Sequence, residues 1–349
     1  MPTFVPGGGV TADTGRRIGP ALADMAAWGN VNDRPSGART AWVALFHVYL
    51  LWGSIYLLNR LLITHVTPLL AGGFRFLSAG VALGLMVLVV SGPRGLRMSR
   101  PQLLTTMLSG LLLPAWGNGL VAVAQTQIPS GLAALLLAVV PLYIAVLRTI
   151  FGDRPSAATL VGVLVGLVGL GVLVLAGPGS GGTAGSAWWG PWLVVLAGLG
   201  WASGTYATTR LPVPPNPFAL ATAQMVTGGL IMVAVGVATG GRVDLGALSA
   251  GTWWVWVAAA LATLGGFSAY AIALRGLPVS TVATYAYVNP VIAVLLGVLL
   301  VDERFTALQG LGGVIVLVAV VLVVRAERRP AGDPDELAAE PLPDRPPAR

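Results

Sequence analysis

The 349-residue sequence predicts an all-α integral membrane protein with ten transmembrane helices arranged as two inverted five-helix repeats. Three observations carry that prediction: the balance of apolar to charged residues, ten apolar runs of spanning length, and a self-match at a shift of 149 residues. Hydrophobic residues make up 56% of the chain against 9% charged, with mean hydropathy +0.82. No water-soluble fold hides that much apolar surface. All 20 basic residues are Arg and there is no Cys. Disulfide frameworks, thiolate catalysis, cysteine metal sites and a phosphate loop ending in lysine are therefore excluded.

A bilayer core needs about 20 apolar residues per helix. The chain offers runs at 42–63, 68–90, 103–124, 129–150, 157–176, 188–208, 217–238, 253–274, 278–301 and 307–324. They are continuous, not alternating, and rich in Leu, Ala and Gly, which rejects a β-barrel. The first run starts too late and is too long for a cleaved signal peptide. Residues 1–39 and 325–349 lack a periodic apolar face and read as disordered cytoplasmic tails.

The net charge of +7 divides by segment. The two tails carry +1 and −1, so the excess lies in short loops, where arginines orient helices. With the N-terminus inside, sixteen arginines fall on the cytoplasmic side, while Arg60, Arg242 and Arg304 fall opposite and Arg75 lies within a span. A multi-pass protein of the cell membrane with both termini cytoplasmic is expected. No basic stripe with interleaved aromatics is present, so nucleic acid is not an expected partner.

Shifting the chain by 149 residues lays Trp52 on Trp201, Ser54 on Ser203, Gly80 on Gly229 and Gly117 on Gly266. Pro68, Pro129 and Pro141 fall on Pro217, Pro278 and Pro290. At the overall proline frequency, about half a match is expected by chance, against three seen. Five helices per copy is an odd number, so residues 41–176 and 188–324 must cross in opposite senses. Such halves can exchange conformations and open a midplane site alternately to either side.

The repeated Trp-x-Ser, Trp52-Gly53-Ser54 and Trp201-Ala202-Ser203, resembles the EamA-like branch of the drug/metabolite transporter superfamily. Arg75-Phe76, Pro129-Ser130-Gly131-Leu132-Ala133-Ala134, Pro141, Pro278, Pro290 and Asp302-Glu303-Arg304 agree with that pattern, over about 41–324. The resemblance implies an inner-membrane carrier with a central cavity, in a group that mostly exports amino acids, other metabolites or toxic compounds.

Arg75 is the one basic residue inside a span, and its repeat mate is the uncharged Gln224. An intramembrane charge is expensive without a partner or water. Arg75 either anchors a substrate carboxylate or phosphate, or snorkels to headgroups or bonds carbonyls. Trp52, Ser54, Trp201 and Ser203 occupy matched mid-helix positions and read as a shared cavity wall, or as packing with the serines bonded one turn back. Asn118, Gln125, Tyr270, Tyr285, Tyr287 and Asn289 add hydrogen-bonding groups, and Tyr285 and Asn289 share a face. Pro141 and Pro290 are candidate helix breaks, each freeing a carbonyl four residues back. Asp153, Asp302 and Glu303 read as turn residues paired with Arg154 and Arg304.

No Asp or Glu falls inside any predicted span. Coupling would have to use His47, a tyrosine, backbone carbonyls for Na⁺ or an exchanged substrate, and facilitated efflux demands least. A membrane enzyme would need a nucleophile with its base, a metal cluster or paired carboxylates, and none is visible. No cofactor or metal is expected. The reading is a secondary transporter exporting a small metabolite, amino acid or drug-like compound, with a non-transporting receptor or assembly subunit as the alternative. Its partners are a small-molecule substrate and the lipid bilayer, and a homodimer is left open.

Overall fold

The computed structural model describes residues 38–152, 155–176, 187–243, 246, 248–277, 279–282 and 284–326. The tails expected to be disordered lie outside them, apart from the residues that open and close the bundle. Every extended element described is a helix.

α1 (Ala38–Ile63) leads into α2 (Pro68–Ser91), whose first residue is a proline, a position where the missing N–H leaves no bond unmade. α3 (Arg100–Gly110) starts at a capping box in which Ser99 and Gln102 exchange side-chain and backbone bonds. It runs through a π-helical stretch, Leu111–Asn118, into α4 (Gly119–Ala124). Pro114 sits in that stretch, where a proline cannot close an α-helical bond and the wider turn takes up the mismatch. α5 (Ser130–Leu137) and α6 (Val140–Ile150) form one span, interrupted at Ala138 and Val139. α7 (Ala157–Leu175) is capped by Ser156. α8 (Trp189–Arg210), α9 (Pro217–Ala238) capped by Asn216, and α10 (Ala250–Gly276) capped by Ser249 follow. α11 (Val279–Val282), α12 (Tyr285–Val301) and α13 (Ala307–Ala326) complete the bundle.

Among the described residues, eight helical spans are long and apolar enough to cross a membrane, and α12 is a shorter apolar helix. α8 has the length, but its Ser203, Thr205, Thr208, Thr209 and Arg210 make it more polar than those eight. Leu85, Val89, Leu164, Leu299 and Val314 point outward from four helices, all more than half exposed. An apolar exterior on this scale is the surface of a protein solvated by lipid.

The helices pack in pairs: α1 on α10, α2 on α9, α7 on α13, α12 on α1, and α8 on the π-helical stretch. Small residues allow the approach. A methyl group at Gly80 would come within 3.1 Å of Val226, and one at Gly229 within 2.8 Å of Leu77. Moving the first pair by 149 residues and exchanging partners yields the second. The same operation relates Gly117 against Trp201 to Gly266 against Trp52. It also relates Trp116 against Gly200 to Gly265 against Leu51.

Two expectations are corrected here. Pro290 lies in the interior of α12, and the helical interruption in this span falls before Tyr285, after α11 has ended at Val282. Pro290 removes the bond to the Ala286 carbonyl without ending the helix, because packing against α1 and α5 holds the backbone on course. Pro141, by contrast, stands in the first turn of α6, directly after the interruption. Glu303 is the second correction. It is 3% exposed and reaches Arg60 Nη1 at 3.4 Å, not a neighbouring arginine in its turn. Its oxygens also accept the N–H groups of Ser130 (2.6 Å) and Gly131 (3.0 Å), the unpaired donors at the start of α5. Asp302 adopts φ 53°, the left-handed turn that closes α12. Asp153 and Arg154 lie outside the described residues.

Candidate functional site

A cavity of about 200 Å³ lies at the centre of the bundle, bounded by α1, α2, the π-helical stretch, α4, α5, α6, α8, α9, α10 and α12. Both halves of the chain contribute. Trp52, Tyr56 and Asn59 project from α1 at helical spacing on one face, and their mates Trp201 and Thr205 do the same from α8.

Of the candidates expected from sequence, Trp52, Arg75, Asn118, Trp201, Gln224, Tyr285 and Asn289 line this cavity, as do Pro141 and Pro290. Ser54, Ser203 and Tyr270 do not line it. The Ser54 hydroxyl donates to the Leu51 carbonyl (3.0 Å), the local bond that satisfies a helical serine. Tyr270 stands behind the wall, stacked on Trp52 with ring centroids 5.3 Å apart. Tyr56, Asn59, Gln125, Thr205, Thr263 and Phe267 also line it. Of these, sequence reasoning had flagged Gln125 alone. The missed signal was periodicity: Tyr56 and Asn59 lie one and two turns beyond Trp52.

The wall has two chemistries. On one side Trp52 meets Phe267 at 5.4 Å and Tyr285 at 5.1 Å between ring centroids, both nearly edge to face. On the other, Arg75 is 3% exposed and does not snorkel. Its Nη1 donates to Thr263 Oγ1 (3.3 Å) and its Nη2 to Asn118 Oδ1 (3.5 Å), while its guanidinium lies 4.3 Å from the Phe76 ring centroid. Its Nε is buried with no hydrogen-bond partner. Trp201 Nε1 and Asn289 Oδ1 are likewise buried without one. Gln224, the mate of Arg75, is satisfied by donating to Ser109 Oγ at 2.8 Å.

One end of the cavity is fastened by a polar cluster. Asn59 donates to Gln125 Oε1, and Gln125 Nε2 donates to the Tyr56 carbonyl at 2.8 Å. Just beyond, Arg60 bridges the Ile128 carbonyl (3.5 Å) and Glu303, which holds the start of α5. α1, the α4–α5 connection and the end of α12 are thereby tied together. Among the described residues no carboxylate lines the cavity itself. Among the described residues no group of three or more His, Cys, Asp or Glu could hold a metal ion.

The family model of the EamA-like transporter family matches residues 40–175 and again 188–325. The uncharacterized inner membrane transporter YedA of Escherichia coli K12 is 36% identical over 281 residues, covering 80% of this chain and 89% of its own. A WAT1-related chloroplastic protein of Arabidopsis thaliana is 26% identical over 294 residues, 82% of this chain and 70% of its own. A solved crystal structure aligns with TM-score 0.56 at 20% identity, over 84% of this chain and 99% of that one, a likeness of fold alone.

Proposed function

Because the chain belongs to the EamA-like transporter family, we propose that it is a secondary carrier of the inner membrane that exports a small metabolite, amino acid or drug-like compound by alternating access. The resemblance read from the repeated Trp-x-Ser and the Arg75-Phe76 pair is borne out by that membership, and membrane transport is the activity class it brings.

The observation that carries the finer reading is a partly polar cavity enclosed between matched halves of an apolar bundle. The reciprocal glycine contacts favour ten spans in two inverted repeats, since an exchange of partners under a 149-residue shift is what a twofold axis in the membrane plane produces. Two equivalent arrangements then exist in principle, one fastened at the Arg60–Glu303 end and the other released there. The cavity size, below the roughly 300 to 1,000 Å³ common for ligand pockets, favours a solute of metabolite dimensions. Among the described residues no carboxylate, the usual intramembrane proton carrier, stands in the wall, which favours uncoupled efflux or exchange.

The test is release of metabolites into the medium by cells expressing wild type, Arg75→Gln or empty vector, at matched membrane levels. Enrichment of one compound class outside cells expressing wild type alone is the expected result. Three coincident profiles from correctly inserted protein would remove export and direct attention to uptake or reception.

A further inference from the structure

Two residues of the cavity wall carry a buried donor without an acceptor, and both side chains meet neighbouring residues of the π-helical stretch. Trp201 Nε1 lies against Gly117, where an added methyl would come within 2.6 Å of it, and Arg75 Nη2 bonds Asn118, the next residue. Arg75 Nε is the second orphan donor. The two bonds that the guanidinium does make are long and go to neutral oxygens. A cation so placed is poorly compensated, and a planar two-oxygen anion is the partner that a guanidinium fork fits.

Among the described residues, the cavity wall holds one fixed positive charge, Arg75, and no carboxylate. A monoanion balances it, whereas a phosphate dianion would exchange one buried net charge for another. Thr263, which receives the Arg75 bond, and Phe267, which meets Trp52, are four residues apart on α10. That is roughly 6 Å of helix rise. The charged and aromatic subsites are thus separated by about one short side chain.

Resting on the reading of this cavity as the transport site, we propose that it binds a small monoanionic carboxylate with an aromatic or branched apolar body. The carboxylate sits between the Arg75 guanidinium and the Trp201 indole N–H, and the body lies against Trp52, Phe267 and Tyr285.

The experiment uses purified full-length protein in detergent micelles and three probes that share one body and differ in headgroup: phenylacetate, phenylacetamide and phenylethylamine. Binding is read by thermal stabilisation and by quenching of tryptophan emission. Phenylacetate is expected to bind wild type roughly tenfold or more tightly than either other probe, the worth of a charged hydrogen bond. Arg75→Gln abolishes that preference, Arg75→Lys retains part of it, and Trp201→Phe weakens phenylacetate binding while leaving the ring in place. The two conservative variants carry the test if Arg75→Gln fails to fold. Equal binding of the three headgroups overturns the inference, as does preference for phenylethylamine, no response to any probe at millimolar concentration, or a preference untouched by the variants. Binding is measured without flux, so a selective site in a protein that releases nothing from cells would sink the export reading alone. Export with no headgroup selectivity would sink this inference alone.

Discussion

Trp52 and Trp201 stand 149 residues apart, and each rests its indole on a glycine of the opposite half, Gly266 and Gly117. Their surroundings then diverge. Trp52 is wedged among Phe267, Tyr270 and Tyr285. Trp201 leaves its N–H unpaired beside the π-helical stretch, whereas the corresponding part of α10 is an unbroken α-helix. Arg75 and Gln224 differ in the same way, the first a cation with an idle donor and the second a satisfied amide. The matched positions are those where backbones meet, so they hold the residues that permit close approach. Arg75 and Gln224, which differ, stand in the cavity wall, where a substrate need not share the scaffold's symmetry.

The largest expected effect comes where one half has a fastening and the 149-residue shift brings an arginine, position 154, onto the glutamate. Glu303→Ala leaves Arg60 without its counter-charge and two helix N-terminal N–H groups without their acceptor. Loss of stability on the order of 3 kcal/mol is expected, as when one partner of a buried ion pair is removed. The check is the melting temperature of the purified protein. An unchanged melting temperature would mean that this end is not held by Glu303.

Next come the paired glycines. A methyl at Gly266 would lie 2.2 Å from Trp52 Nε1, and one at Gly117 2.4 Å from Trp201 Cδ1. If the halves were interchangeable, the two alanine variants would cost the same. Trp52 has three rings behind it and Trp201 borders open cavity, so Gly266→Ala should cost about 1 to 3 kcal/mol, the usual range for overpacking, and Gly117→Ala less. Parallel thermal melts of the two variants decide it, and equal losses would erase the asymmetry.

The smallest effect is at Gln224. Gln224→Leu removes one neutral hydrogen bond, to Ser109, and should change stability by about 1 kcal/mol or less. Export should fall far less than with Arg75→Gln. Equal export defects in the two variants would place the polar chemistry in both halves.

The eight long apolar spans were legible because lipid-facing composition is a bulk property of each run, insensitive to register. The interruption before α6 was legible because a proline announces the bond it cannot make. The same argument failed at Pro290, where tertiary packing carries the helix through. Pro114 went unread, since nothing local says that a missing bond will widen a helix into a π turn and not bend it. Glu303 was misread because Arg304 is its neighbour in sequence, while the fold brings in Arg60 from the end of α1. For the site, charge and symmetry picked out Arg75 and the tryptophans, but Asn59, Thr205 and Thr263 are ordinary polar residues until three helices converge on them.

α12 spans only 17 residues, Tyr285–Val301, and turns Leu295, Leu299 and Leu300 outward. At 1.5 Å per residue it covers roughly 25 Å, short of the ~30 Å hydrocarbon thickness of an ordinary bilayer. What it leaves uncovered falls to α11 and the interruption before Tyr285, or is met by acyl chains that shorten, tilt or draw the helix toward themselves. The helix under that tension is the one that carries Tyr285 and Asn289 into the cavity, which makes membrane thickness itself an input to the shape of the site.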